Sequence, residues 1–331
     1  MIVARAPLRI SLGGGGTDLP FYSSKYGSFL ICGAINRYVY ITVSGRVVKS
    51  IKLNYSKTEI VGSLDEIKHP LIREALRLTG IRDSVEIHSM GEVESGTGLG
   101  SSSTFLVGLL NALYYYNGEV VSKYKLAEDA SHITMDILRE PCGKQDQYAA
   151  AFGGLTSLRI NKAGRVTVSP INISHKNLKM LESNLMMFYT GFKREANVVL
   201  ADQKKRSESK STMDIFDYYH EIRKIGKESL KCLEKGNLRR FGEWMNVHWE
   251  LKREISDRMT NPVIDRWYKT AMDNGAIGGK IVGAGGGGFL IFYIEKNHEK
   301  LENVMKRYGL VPMKFRFDFD GAKIVYDGRR F

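Results

Sequence analysis

Three glycine clusters hold the groups best suited to chemistry: Gly13-Gly14-Gly15-Gly16, the segment Ser95-Gly-Thr-Gly-Leu-Gly-Ser-Ser-Ser103, and Gly283-Ala-Gly-Gly-Gly-Gly288. Glycine admits positive φ and lets main-chain N–H groups approach a ligand, and at the start of a helix those N–H groups favour an anion. The middle cluster follows an alternating run at 85–90 and precedes the apolar run 104–114, so it predicts a loop that opens a helix. Its serines would add hydroxyls within reach of a metal ion. The plainer alternative is a tight strand-to-helix turn capped by Ser101. Two common phosphate motifs fail here. Gly279-Lys280 is followed by Ile281, and Asn274 stands where a P-loop needs its first glycine. Gly283-x-Gly285-x-x-Gly288 spells a dinucleotide fingerprint, but a strand-like run at 289–293 follows in place of a helix.

The elements that must position these clusters alternate between short strands and helices. Strands are expected at 2–6, 29–35, 38–43 and 85–90, and at 280–282 and 289–294 on either side of the third cluster. A late strand is expected at 311–319. An amphipathic helix is expected at 122–138, ending ahead of Pro141. The stretch from about 196 to 274 reads as mostly helical, with Asp214 as a cap and Asn261-Pro262 opening its last helix; another helix falls at 299–308. Strands and helices in segregated blocks predict an α+β fold, divided into residues 1–177 and 178–331.

Composition narrows the function classes. The 331 residues are 43% hydrophobic and 26% charged, with 7 Pro against 34 Gly, which describes a globular chain with a real core rather than a disordered or collagen-like one. No run approaches the roughly 20 apolar residues of a membrane span, and the N-terminus has no secretory pattern, so a cytoplasmic protein without a membrane partner is expected. Cys32, Cys142 and Cys232 are scattered and read as ordinary thiols. The net charge of +13 raises the question of nucleic acid. Yet the densest basic stretch, Lys204-Lys205-Arg206 with Lys210, is interleaved with Glu208 and polar residues, and no recognition motif accompanies it. An anionic small substrate explains the charge as well. His132 and His248, on expected helices, read as structural, and Tyr114-Tyr115-Tyr116 as packing.

Pro7 to Asp18, Ser95 to Ser103 and Lys280 to Phe289 resemble the three ordered motifs of the GHMP kinases, the superfamily of galactokinase, homoserine kinase, mevalonate kinase and phosphomevalonate kinase. Within it, Gly-Gly-Gly-Gly-Thr-Asp-Leu-Pro20, Gly143-Lys-Gln-Asp-Gln-Tyr148 with the residues up to Gly154, Tyr189-Thr-Gly-Phe-Lys-Arg194 and the four-glycine third motif resemble the D-glycero-D-manno-heptose 7-phosphate kinases. The resemblance implies a two-domain fold with the nucleotide and acceptor site between the domains. It also implies transfer of the γ-phosphoryl group of ATP to a sugar hydroxyl, in the heptose kinases the anomeric one, giving the 1,7-bisphosphate. Catalysis would then be positioning and charge neutralisation.

By that resemblance Asp146 would take the acceptor proton beside Arg9, and Gly96, Thr97, Gly98, Leu99, Gly100, Ser101, Ser102 and Ser103 would hold ATP. Ser102, or else Ser101, would ligate Mg²⁺. Gly14, Gly15, Gly16, Thr17 and Asp18 would meet the acceptor, with Gly285 and Gly286 closing the site. Lys144 would steer a sugar phosphate or be a surface charge, and Arg194 would pair with the substrate phosphate or with a helix neighbour. Two positions depart from the pattern. Thr134 stands twelve residues ahead of Asp146, where relatives usually carry a glutamate, leaving Asp136 as the nearest candidate metal carboxylate although it would face about 200° round a helix. Glu94 replaces a more usual proline. The alternatives are a kinase for galactose, fucose or an N-acetylhexosamine, or a catalytically silent nucleotide-binding homologue. Partners are expected to be limited to the sugar phosphate and at most a second copy of the chain.

Overall fold

The computed structural model describes residues 1–192, 199–203, 205 and 215–329. The first glycine cluster lies between two long strands. β1 (Ile2–Gly13) alternates buried and half-buried residues at its start and is buried throughout its second half, as befits a strand covered on both faces there. It pairs antiparallel with β2 (Ser28–Gly45), from Ile2 opposite Val43 to Gly13 opposite Ile31. The expected strands at 29–35 and 38–43 are thus one strand. The register shifts between Pro7 and Leu8, where a residue without an N–H can interrupt the ladder. Between them, α1 (Pro20–Tyr26) begins at a proline.

Eight strands make the first sheet. Its main path runs β12-β1-β2-β5-β3-β4, with β3 (Ile51–Asn54), β4 (Thr58–Val61), β5 (Val85–Gly91) and β12 (Lys323–Asp327); β6 (Leu155–Ile160) joins β2 further along and carries β7 (Val166–Pro170). Beyond α2 (Pro70–Thr79), α3 (Ser101–Tyr116) lies across β1 and β2 and against α5 (Gln145–Phe152). Its buried residues come from all round the helix, which explains why its apolar run is unbroken. Gly108 lets it approach: a Cβ there would touch Ala6 and Ile41 at 3.4 Å.

A second, four-stranded antiparallel sheet runs β11-β8-β10-β9, formed by β8 (Leu185–Tyr189), β9 (Gly278–Ile281), β10 (Phe289–Tyr293) and β11 (Val311–Met313). Helices α7 (Ile215–Lys235), α8 (Leu238–Ile255) and α9 (Pro262–Asp273) connect β8 to β9; α7 packs on β2 and α8 on β9. The side chain of Asn261 accepts from the N–H groups of Val263 and Ile264, the cap expected there, whereas Asp214 lies outside the described residues. α10 (His298–Arg307) covers part of the expected 299–308.

Two expectations need correction. The helix at 122–138 is α4 (Lys123–Ser131) followed by a π-helical turn (His132–Ile137), with Arg139 at φ 55°. The late strand ends at Met313, after which only Phe317 makes an isolated bridge, to Ile35. The last strand, β12 (Lys323–Asp327), pairs with β1, so the chain's end returns to the first sheet; residues 177 and 178 fall within α6 (His175–Asn184).

Candidate active site

The three glycine clusters meet in one cleft of about 560 Å³. The middle loop reaches it because Gly96, Gly98 and Gly100 all have positive φ, at 82°, 85° and 78°. Gly98 also packs so tightly on the third cluster that a Cβ would overlap the Val282 carbonyl, while a Cβ on Gly283 or Gly288 would overlap the backbone of Gly98 or Thr97. Gly100 is the N-cap of α3, whose first turn brings Ser101, Ser102 and Ser103 to the cleft wall. The N-terminal N–H groups of α3 lack intrahelical partners and can hold an anion.

Arg9 projects from β1 to the mouth of this loop and is 5% exposed. Its Nε and Nη2 donate to Oδ1 and Oδ2 of Asp146 at 2.7 and 2.6 Å, and its Nη1 donates to the Gly98 carbonyl at 2.6 Å. This fork fixes the carboxylate, in the first turn of α5, against the phosphate-loop backbone. A Cβ on Gly100 would lie 3.2 Å from Asp146 Oδ2. Asp146 remains part-exposed to the cleft, as a group that must meet a substrate would be.

Asp18 is buried at the other side of Asp146, accepting from the N–H groups of Gly16 and Gln145 at 3.2 and 3.1 Å. Burial raises its pKa and outweighs these two hydrogen bonds, with the nearby Asp146 charge acting in the same direction as burial. Gly143 makes room for it, since a Cβ there would overlap the Asp18 carboxylate. Gly15, Gly16, Asp18 and Gly285 line the cleft.

The other expected residues lie elsewhere. Gly14 packs on the Phe29 carbonyl, and Thr17, wholly buried, bonds the Gly14 carbonyl at 2.8 Å and Ser28 Oγ at 2.7 Å; they shape the first loop from behind. Thr97 donates to the Glu94 carbonyl and Leu99 is core, so they shape the second. Gly286 donates its N–H to Met259 and is absent from the cleft wall. Lys144 points away from the cleft, where it donates to both Glu128 oxygens, at 2.9 and 2.7 Å, and to the Gly164 carbonyl. Asp136 is not a cleft residue either: its side chain is 69% exposed and pairs with His132 at 2.8 Å. Thr134 is buried with its hydroxyl on the Ala130 and Ser131 carbonyls. Arg194 lies outside the described residues.

Several cleft residues were not anticipated from sequence. Glu140 lines the wall with a carboxylate that has no partner among the described residues, and burial raises its pKa. Lys252 from α8 and Lys280 from β9 also line it, with Ser11, Gln145 and Gln203. Lys280 was visible as the head of the third motif; Lys252 sat among charged helical residues that look solvated. His248, read as structural, is wholly buried and accepts from Lys280 Nζ at 3.5 Å.

Comparison with known proteins places this architecture. The GHMP kinases N terminal domain matches residues 67–154 and the GHMP kinases C terminal domain residues 229–309. The chain is 30% identical to D-glycero-alpha-D-manno-heptose 7-phosphate kinase of Campylobacter jejuni, over 97% of this chain and 98% of that protein. It is 25% identical to galactokinase of Pyrococcus furiosus over 90% of each. The crystal structure of a D-glycero-D-manno-heptose 1-phosphate kinase from Bacteroides thetaiotaomicron shares the fold, with a TM-score of 0.81, 24% identity and coverage of 99% of this chain and 100% of that one. Near-complete alignment with such relatives, both domain matches and the convergence of all three glycine clusters on one cleft lead to one conclusion: the chain belongs to the GHMP kinase family.

Proposed function

We propose that this kinase transfers the γ-phosphoryl group of MgATP to the anomeric hydroxyl of D-glycero-D-manno-heptose 7-phosphate, giving the 1,7-bisphosphate, in the cytoplasm. The Arg9–Asp146 fork, tied to the phosphate loop through the Gly98 carbonyl, is the observation that carries the phosphoryl-transfer reading. The acceptor is supported by the 30% identity to the Campylobacter enzyme.

In this account the loop from Gly96 to Gly100 and the first N–H groups of α3 hold the β- and γ-phosphates. Asp146 accepts the acceptor's hydroxyl proton as the new O–P bond forms, the bond from the γ-phosphorus to the bridging oxygen breaks, and ADP leaves. Arg9 keeps Asp146 oriented and supplies positive charge where negative charge is transferred. Asp18 and the backbone of Gly15 and Gly16 orient the sugar.

The residues present suit Mg²⁺. Among the described residues, Ser101 Oγ is buried without a partner, Ser102 lines the same wall, and Glu140 brings a carboxylate that no other side chain holds. Hydroxyl and carboxylate oxygens are what a hard divalent cation takes. Ser102 and Glu140 would hold the ion, in place of Asp136. When bound, it neutralises phosphate charge.

The reading is tested by ADP release from MgATP with heptose 7-phosphate and a panel of sugars. Turnover that depends on heptose 7-phosphate supports it. Preference for galactose, fucose or an N-acetylhexosamine would keep the chemistry and overturn the acceptor, and nucleotide binding with no turnover on any sugar would mark a silent homologue.

A further inference from the structure

Of the cations lining the cleft among the described residues, Arg9 is already committed to Asp146, while Lys252 and Lys280 are not paired with any carboxylate. Lys252 stands beside the first glycine loop: a Cβ on Gly16 would lie 3.5 Å from its Nζ. Lys280 is 4% exposed and its one hydrogen-bond partner among the described residues is His248, whose own pKa burial and the two ammonium groups push well below the ordinary value. A neutral imidazole beside an ammonium compensates little of its charge.

Three more donors in the same wall lack partners among the described residues. Ser11 Oγ, Gln145 Nε2 and Gln203 Nε2 are all inaccessible and make no hydrogen bond, although Tyr219 donates to Gln203 Oε1 at 2.9 Å and so fixes that amide. Buried donors and cations left unmatched are costly to the fold. The cost shows in both lysines: burial lowers Lys252 to about 8 and drives Lys280 well below its usual range, where the charges of Lys252 and Arg9 act in the same direction as burial. A dianion would match this end of the cleft in charge and in hydrogen-bonding sense.

We infer that Lys252 and Lys280, with Ser11, Gln145 and Gln203 around them, form the subsite for the phosphate monoester that the acceptor already carries. Lys252 belongs to the acceptor side because it adjoins Gly16 and feels Asp18, whereas the ATP phosphates are assigned to the Gly96–Ser103 side, across the Arg9–Asp146 fork. The inference rests on the proposed sugar phosphate acceptor, and makes these two lysines the residues that select it over the unphosphorylated sugar.

The test is steady-state kinetics of the full chain with heptose 7-phosphate and with the same heptose lacking the phosphate, in wild type, Lys252→Met, Lys280→Met and Lys252→Arg. Each methionine variant should raise KM for the heptose phosphate about tenfold or more, the scale of one charged hydrogen bond, with KM for ATP nearly unchanged. The preference for the phosphorylated sugar should shrink by the same factor, and arginine should restore part of it. Inorganic phosphate should compete with the acceptor in wild type and lose that effect in Lys252→Met. Methionine variants that keep the preference, or that raise KM for ATP instead, would overturn the subsite. A wild type that prefers the unphosphorylated sugar would overturn the proposed acceptor itself, a different outcome read on the unmutated protein. Because methionine removes an unpaired buried ammonium, the variants should melt no lower than wild type; if one does not fold, the glutamine variant and the rise in wild-type Tm with inorganic phosphate decide the case.

Discussion

At the scale of single residues, the account depends on which carboxylates touch the cleft. Glu140→Gln should raise the Mg²⁺ concentration needed for half-maximal rate, while Asp136→Ala, at an exposed position paired with His132, should leave the Mg²⁺ dependence unchanged. Titrating both variants with Mg²⁺ checks this, and equal dependence in the two would remove Glu140 from the metal site. Lys144→Ala should lower stability by about 1 kcal/mol, through loss of its contacts to Glu128 and Gly164, without altering KM for the acceptor. Thermal melting and kinetics on that variant separate a tether from a substrate contact. Lys252 also sets a pH limb. Its ammonium, with Asp18, Arg9 and Lys280 around it, loses its proton near pH 8 in the free enzyme, so kcat/KM for the sugar phosphate should fall as pH rises through about 8, and Lys252→Met should lose that limb. The stability counterpart has the opposite sign. A lysine whose pKa is lower folded than unfolded binds fewer protons in the native state between the two values, so the ligand-free enzyme gains stability as pH rises from about 8 toward 10.5.

At the scale of elements, the contact between the second and third glycine clusters is what assembles the cleft. Gly98 and Gly118 both have positive φ, 85° and 84°, but a Cβ on Gly98 meets the Val282 carbonyl whereas one on Gly118 meets nothing within 4 Å. Gly118→Ala should therefore cost only the left-handed penalty of about 1 kcal/mol, and Gly98→Ala clearly more, with a loss of kcat that Gly118→Ala lacks. Melting temperatures and turnover of the pair measure the contact itself. This level was partly legible in sequence. The loop that opens α3 and the Asn261 cap could be read because glycine, serine and Asn-Pro have local conformational meanings. The π-helical turn after Ser131 was not, because its wider winding breaks the 3.6-residue period that the expected helix at 122–138 relied on. That turn and the irregular chain after it lead from α4 to Glu140 and Gly143 in the cleft.

At the scale of the whole molecule, the family and the α+β class were readable because three motifs in fixed order span the chain, while the pairing of distant segments was not. Nothing local in Lys323–Asp327 indicates that it lies beside β1, and the cationic end of the cleft exists only once α8 and β9 bring Lys252 and Lys280 together. The expected roles of Thr97, Leu99, Gly14 and Thr17 followed the motifs as strings, whereas the fold turns only some residues of each loop toward the cleft. The central claim is that Asp146, held by Arg9, takes the acceptor's proton in a heptose phosphate kinase. The most direct measurement is ADP release from MgATP with heptose 7-phosphate by wild type and Asp146→Asn, each checked for ATP binding. The account predicts turnover in wild type and a loss of at least about a hundredfold in the variant with ATP binding retained. Normal turnover by Asp146→Asn would contradict it.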